Sequence, residues 1–258
     1  MTKLFVIARR EFTGCFHSWL GVMMGVLFFL VTGVFFVILV LSYVKISMDP
    51  RQFGLSSLNG INQTQFVFSS FFSNLSIILL FFVPLLTMRS FAEEKRQETL
   101  ELLFTYPLSD FEIVAGKMLG IVWFFEFLLV PLLGYLAVFR WIGGELDWGP
   151  VLSGFLGFWL LGMAYLAAGV FVSSLTRSTV VSAIGTFSVL VVFWVFEWVT
   201  EISDGVWAKI FGALSPLGHY RHFTLGIVDL QDVVYFLFFF LYFLYLAIRS
   251  VETRNWKS

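Results

Sequence analysis

The residue types that could do chemistry in this chain are few and widely spaced. Glu126 stands among Phe124, Phe125, Phe127 and Leu128, and a carboxylate inside such a run costs on the order of 2.5–3.5 kcal/mol to place in lipid. It must be neutralised, paired or turned to water, so it is either a group on a substrate path or an acid packed against another helix. Pro131 frees a carbonyl one turn back. Ser73 and Asn74, in a polar run with Ser69, Ser70 and Ser76, could line the same path or bond helices together. His219-x-x-His222 puts two imidazoles on one helical face. No third ligand stands at a fixed spacing, so interfacial placement is favoured over a metal site. Gly116-Lys117 is followed by Met118, with Phe111 where the first glycine of a phosphate-binding loop belongs, so the chain has no such loop for ATP. It has no H-E-x-x-H helix, no nucleophile and base at matching depth, and no repeated polar filter, which sets aside a hydrolase and a channel. Cys15 is the single cysteine and makes neither an internal disulfide nor a metal quartet. The sequence thus implies no catalytic residue, bound cofactor or metal in this chain.

The elements that must position these groups are set by composition. Of 258 residues, 59% are apolar, 20% aromatic and 13% charged, with mean hydropathy +0.90. Soluble domains carry about 25% charged residues, so a water-soluble globule is excluded. Net charge is -1, which argues against a nucleic-acid partner. Six apolar runs are long enough to cross a bilayer, at 20–44, 66–88, 118–139, 151–172, 180–199 and 230–248. The expected fold is an all-α integral membrane protein, a single transmembrane domain over 1–258. Eleven basic residues fall in the segments on the N-terminal side and five on the other, so both termini are expected in the cytoplasm. In 1–19, Phe5, Ala8, Phe12, Phe16 and Trp19 recur at helical spacing, an amphipathic helix suited to the membrane surface. In 200–229, too apolar for a free loop, a short helix is expected to dip back into the outer leaflet before Ser215-Pro216.

The strongly polar segment is 89–117, which holds ten charged residues. Ser90-x-x-Glu93 and Ser109-x-x-Glu112 read as capping boxes for two helices, and Pro107 forces a turn at Tyr106 between them. Leu100, Leu103 and Phe104 share one stripe, with Glu94, Glu98 and Glu101 exposed. The segment either docks on something in the cytoplasm or solvates the ends of two spans.

Arg89-Ser-Phe-Ala-Glu-Glu-Lys-Arg96, Thr99-Leu-Glu-Leu-Leu103, Pro107-Leu-Ser-Asp110 and Gly116-Lys117 resemble the cytoplasmic signature of ABC-2 type permeases. Leu214-Ser-Pro-Leu-Gly-His-Tyr220, followed by Gly226-x-x-Asp229-x-x-Asp232, is similar to the gliding-motility (GldF-like) branch. The resemblance implies a permease subunit of an ATP-driven exporter in a bacterial or archaeal cell membrane. Its first cytoplasmic loop would carry a coupling helix seated on a separate ABC ATPase, present in two copies and holding ATP and Mg. A second permease half, identical or homologous, would complete the path, with a periplasmic auxiliary subunit as a further partner. The coupling residues implied are Glu93, Glu94, Arg96, Glu98, Thr99, Leu100, Glu101, Leu103, Phe104, Pro107 and Asp110, with Arg177 from the next inner loop. Glu98 stands where the family often has glycine, so the helix is expected to continue unbroken there. The competing reading is a mechanical or scaffold subunit that signals to an envelope partner without moving a solute.

Overall fold

A computed structural model describes residues 3–48, 64–99, 109–144, 146–202 and 205–255, the side chains of 46, 47, 254 and 255 aside. Among them all regular structure is helical. Helix α1 (Lys3–His17) breaks at Ser18 and leads into α2 (Trp19–Met48). A π-helical turn, Gln65–Ser69, opens α3 (Ser70–Thr87), and the short α4 (Ala92–Arg96) follows. Then come α5 (Asp110–Trp141), α6 (Trp148–Leu175), α7 (Thr179–Ile202), α8 (Val206–Leu214), α9 (Pro216–Thr224) and α10 (Leu230–Asn255). Six helical stretches are long and apolar enough to cross a membrane: Trp19–Lys45, Gln65–Arg96, Asp110–Trp141, Trp148–Leu175, Thr179–Ile202 and Leu230–Thr253. Each apolar run of the sequence lies within one of them.

Helix α6 is the centre of the bundle. Its glycines 154, 157, 162 and 169 receive Phe72, Phe223, Phe125 and Thr87 so closely that an added Cβ would lie 2.3–2.4 Å from each side chain. Close approach of this kind is how membrane helices gain packing where lipid offers no hydrophobic drive. Phe158, Leu161, Tyr165 and Leu166 fill the remaining α6 surface and are fully buried. By contrast α2, α7 and α10 bury little of their surface within the chain. Trp19, Trp141, Trp148 and Trp207 are exposed near helix ends, where amphipathic rings anchor a span at the interface.

Helix α1 does more than lie on a surface. It runs along the beginning of α5, with Ala8 fully buried, Phe12 edge-on to Trp123, and Phe16 edge-on to Phe124 and Phe127. Gly116 and Gly120 open this contact: a Cβ at Gly120 would stand 2.5 Å from Glu11 Cβ, and one at Gly116 would stand 2.9 Å from Ile7 Cβ. On the far side of the bundle, the expected short helix before Ser215-Pro216 is α8, which has no buried residue. The helix after it, α9, inserts Tyr220 and Phe223 into the core, and the Tyr220 hydroxyl donates to Phe72 O at 2.8 Å.

Candidate functional site: the polar segment and its anchors

Helix α4 is only five residues long, too short to hold itself together. Its neighbours hold it. Ser173 Oγ, from the end of α6, accepts from the backbone N–H groups of Phe91 at 3.1 Å and Ala92 at 3.2 Å. These are donors that a helix start leaves open and that a local cap would otherwise satisfy. The expected Ser90–Glu93 capping box does not form. Ser90 is turned inward, 5% exposed, with its hydroxyl unpartnered among the described residues, and Glu93 faces Arg89 and Arg96 instead. The cap arrives from another helix, which removes the need for the local one. Lys95 donates to Ser174 O, which also accepts from Ser250 of α10.

The electrostatic centre is Lys117, one residue before the apolar run of α5 and 1% exposed. Its ammonium contacts Glu11 at 2.8 Å, Glu94 at 2.9 Å and Ser90 O at 2.8 Å, and lies over the Phe91 ring. An ammonium has three N–H donors; two are met by the hydrogen bonds to Glu11 and Ser90 O, and Glu94 adds its opposite charge. Arg10 approaches the same oxygen of Glu94 at 3.6 Å. Burying a cation is costly unless it is paired and hydrogen-bonded, and here the pairing joins α1, α4 and α5 at one point. Ser109 caps α5 with the expected box: its Oγ accepts from Glu112 N at 3.2 Å, and its N–H donates to Glu112 at 2.9 Å. The backbone bond at Ser109 is the first cause holding the Glu112 carboxyl below its ordinary range.

The sequence-derived candidates therefore divide. Glu93, Arg96, Glu98 and Thr99 lie on or just after α4, with Arg96 and Glu98 exposed. Glu94, expected on the exposed rim, is instead an inward ion-pair partner, because Lys117 requires a counter-charge. Asp110 begins α5, and Arg177 lies exposed between α6 and α7. Leu100, Glu101, Leu103, Phe104 and Pro107 lie outside the described residues. At Glu98 the expectation of an unbroken helix is wrong: its φ is 57°, the left-handed region, and Thr99 N–H closes back onto Glu94 O at 3.1 Å. This is the closure of a helix that ends in a left-handed residue, made without glycine.

The path candidates do not converge among the described residues. Asn74 donates to Ser70 O in its own helix at 2.8 Å, and Ser73 is exposed. Glu126 is not packed away: it is exposed on α5, its described partner being the Trp159 indole N–H at 3.4 Å. Sequence reasoning missed Glu11 and Lys117 as a pair and missed the third partner of the histidines. His219 and His222 present Nδ1 to the two oxygens of Asp232 at 2.6 and 2.7 Å, and Asp232 is 3% exposed. The described residues include no group arranged to hold a metal.

The chain is a helical bundle whose polar segment is tied to the ends of several apolar helices. A family model described as ABC-2 family transporter protein matches residues 5–247. The chain belongs to that family. No curated protein matches it. As an ABC-2 permease it is a multi-pass membrane protein and the membrane part of an ABC transporter, normally non-catalytic and normally paired with an ABC ATPase subunit. Family membership gives the Lys117 cluster a context: it fixes the segment that precedes the third span.

Proposed function

We propose that this chain is the permease half of an ATP-driven exporter, and that residues 89–117 couple it to a separate ATPase on the cytoplasmic side. The observation that carries this reading is the anchoring of α4. Lys117 ties it to α1 and α5, and Ser173 and Ser174 tie it to α6. A force applied beyond Arg96 is therefore delivered to the ends of several helices at once, as coupling requires. The turn at Glu98 redirects the chain where the docking stripe begins.

Leu100, Leu103 and Phe104 are the proposed apolar anchor on the ATPase, since interface energy concentrates in a few buried groups. Arg96, Glu98 and Glu101 are the rim. The lightly buried faces of α2, α7 and α10 support a second permease half, identical or homologous. Placement in the gliding-motility branch rests on the sequence block from Leu214 to Asp232, within which His219 and Asp232 are in contact.

The test is co-expression with a P-loop ABC ATPase, the first candidate being any that is encoded beside this chain. Leu103→Ala or Phe104→Ala should release that partner, whereas Glu98→Gln should retain it. If both apolar variants keep the ATPase and its full turnover, the segment is not the docking element.

A further inference from the structure

Three helices that emerge on the α1 side of the bundle surround, together with α1, a cavity of about 360 Å³. This lies in the 300–1,000 Å³ range of small-molecule sites. Its wall changes character along its length. Leu20, Met24, Leu85, Leu86, Ile121 and Phe124 line one part, all within the apolar runs 20–44, 66–88 and 118–139. Arg10, Ser18, Arg89, Ser90, Glu93 and Glu94 line the rest, all outside those runs. The division between oily and ionic wall coincides with the ends of those runs. An amphiphile standing in register with the bilayer has the same division.

The ionic end specifies the head. Lys117 is already satisfied by Glu11, Glu94 and Ser90 O, so it is not the anchor. Each arginine has five N–H donors. Arg10 reaches only Glu94, at 3.6 Å, and Arg89 reaches Ser18 Oγ at 2.9 Å and Glu93 at 3.5 Å. Donors remain on both, and a phosphate with several oxygens matches them. Two groups seek the opposite. Glu94 Oε2 and Ser90 Oγ are buried with no partner among the described residues, and Ser90 is 5% exposed. An unmet carboxylate oxygen calls for a cationic donor. Three cations (Arg10, Arg89, Lys117) stand against three carboxylates (Glu11, Glu93, Glu94) on the wall, so a guest without net charge preserves the balance.

We propose that this cavity binds a phosphatidylethanolamine-type lipid from the leaflet on the α1 side. Arg10 and Arg89 hold its phosphate, Glu94 Oε2 and Ser90 Oγ accept from its ammonium, and an acyl chain leaves along Leu20, Met24 and Leu85. A quaternary choline head has no N–H to offer Glu94, and a glycerol head has no cation. The site lies beside the Lys117 cluster, so an occupant would brace α1 against α4, independently of whether ATP drives the protein.

The experiment is native mass spectrometry and lipid retention of the delipidated full chain, offered phosphatidylethanolamine, phosphatidylcholine or phosphatidylglycerol in detergent. Phosphatidylethanolamine should be retained in preference to the other two. Arg10→Gln combined with Arg89→Gln should weaken it about 10- to 100-fold, the usual effect of lost charge-assisted bonds. Arg10→Gln alone, which removes a single 3.6 Å contact, should give a partial loss in a fully folded chain. Leu85→Trp should fill the apolar end and expel the lipid with every charge in place. Glycerophosphoethanolamine and inorganic phosphate should compete at least tenfold more weakly than the lipid. Equal binding of the soluble head would overturn the membrane source. Equal retention of the three lipids, unaffected by Arg10→Gln or Leu85→Trp, would overturn the site.

Discussion

Lys117 and Glu94 meet at 2.9 Å, their side chains 1% and 12% exposed, and through this pair the start of the third span holds the helix that follows the second. Removing one member of a buried pair leaves an uncompensated charge and costs about 3–5 kcal/mol. Glu94→Gln keeps a carbonyl acceptor for the ammonium. Lys117→Met should therefore lower the unfolding temperature in detergent and separate ATP hydrolysis from transport, with Glu94→Gln milder on both measures. If Lys117→Met melts as wild type does, the ion pair does not hold these elements together.

Ser173 caps α4 from a distance. Its replacement by alanine removes the acceptor for Phe91 N–H and Ala92 N–H, both buried, at about 1–3 kcal/mol. Hydrogen exchange at those two amides should accelerate in Ser173→Ala, while amides in the middle of α6 keep their protection. Uniform acceleration across α6 would mean that the serine stabilises the whole bundle rather than the cap.

Glu98 occupies a conformation that favours glycine, with φ of 57°. A non-glycine residue there costs roughly 1 kcal/mol or more. Glu98→Gly should leave the turn intact and the protein at least as stable, and Glu98→Val, β-branched, should destabilise it. The order of the two melting temperatures is the check; the reverse order would show that the turn is not part of the folded state.

The six spans were legible because lipid imposes one demand, apolarity sustained over about 20 residues, which any window of sequence displays. The Ser109–Glu112 box was legible because it is local. The anchors were not. Glu11 and Lys117 are 106 residues apart, and Ser173 and Phe91 are 82 apart, so only packing reveals them. Ser90-x-x-Glu93 has the same pattern as the true box and fails because a distant serine does its work. The Glu98 turn was hidden for a related reason: a tertiary clamp on Phe91, Lys95 and Glu94 over-determines the helix end and overrides the preference for glycine. His219 and His222 were noticed as a pair, but Asp232 lies beyond a turn in another helix, so the arrangement became readable only in three dimensions.

Cys15 should be a slow thiol. Burial first, and the Glu11 charge second, push it up to about 11. The thiolate is the reactive form, so lifting the value from 9.0 to about 11 lowers the thiolate fraction near neutral pH about 100-fold, two pH units. Maleimide labelling of the folded chain should be correspondingly slow at pH 8 and rise about tenfold per pH unit until close to 11, while the unfolded chain levels off near its ordinary value. A folded-state profile that levels off with the unfolded one would mean that α1 does not stay against α5.

Gly120 gives the most direct test of that contact. A Cβ there would stand 2.5 Å from Glu11 Cβ and 2.6 Å from Ala8 O, and the second atom belongs to backbone that cannot swing aside. Overpacking of this kind costs about 1–3 kcal/mol even for small additions. Gly120→Ala should therefore push α1 outward, lengthen the Glu11–Lys117 contact and speed labelling at Cys15. Gly134, where an added Cβ meets nothing within 4 Å, is the matched control on the same helix. Gly134→Ala should leave labelling unchanged and, with alanine's higher helix propensity, raise stability by about 0.5–1 kcal/mol. The two alanines thus act in opposite directions if α1 is seated in the groove that Gly116 and Gly120 open. Equal behaviour of the two variants would mean that the helix is not seated there.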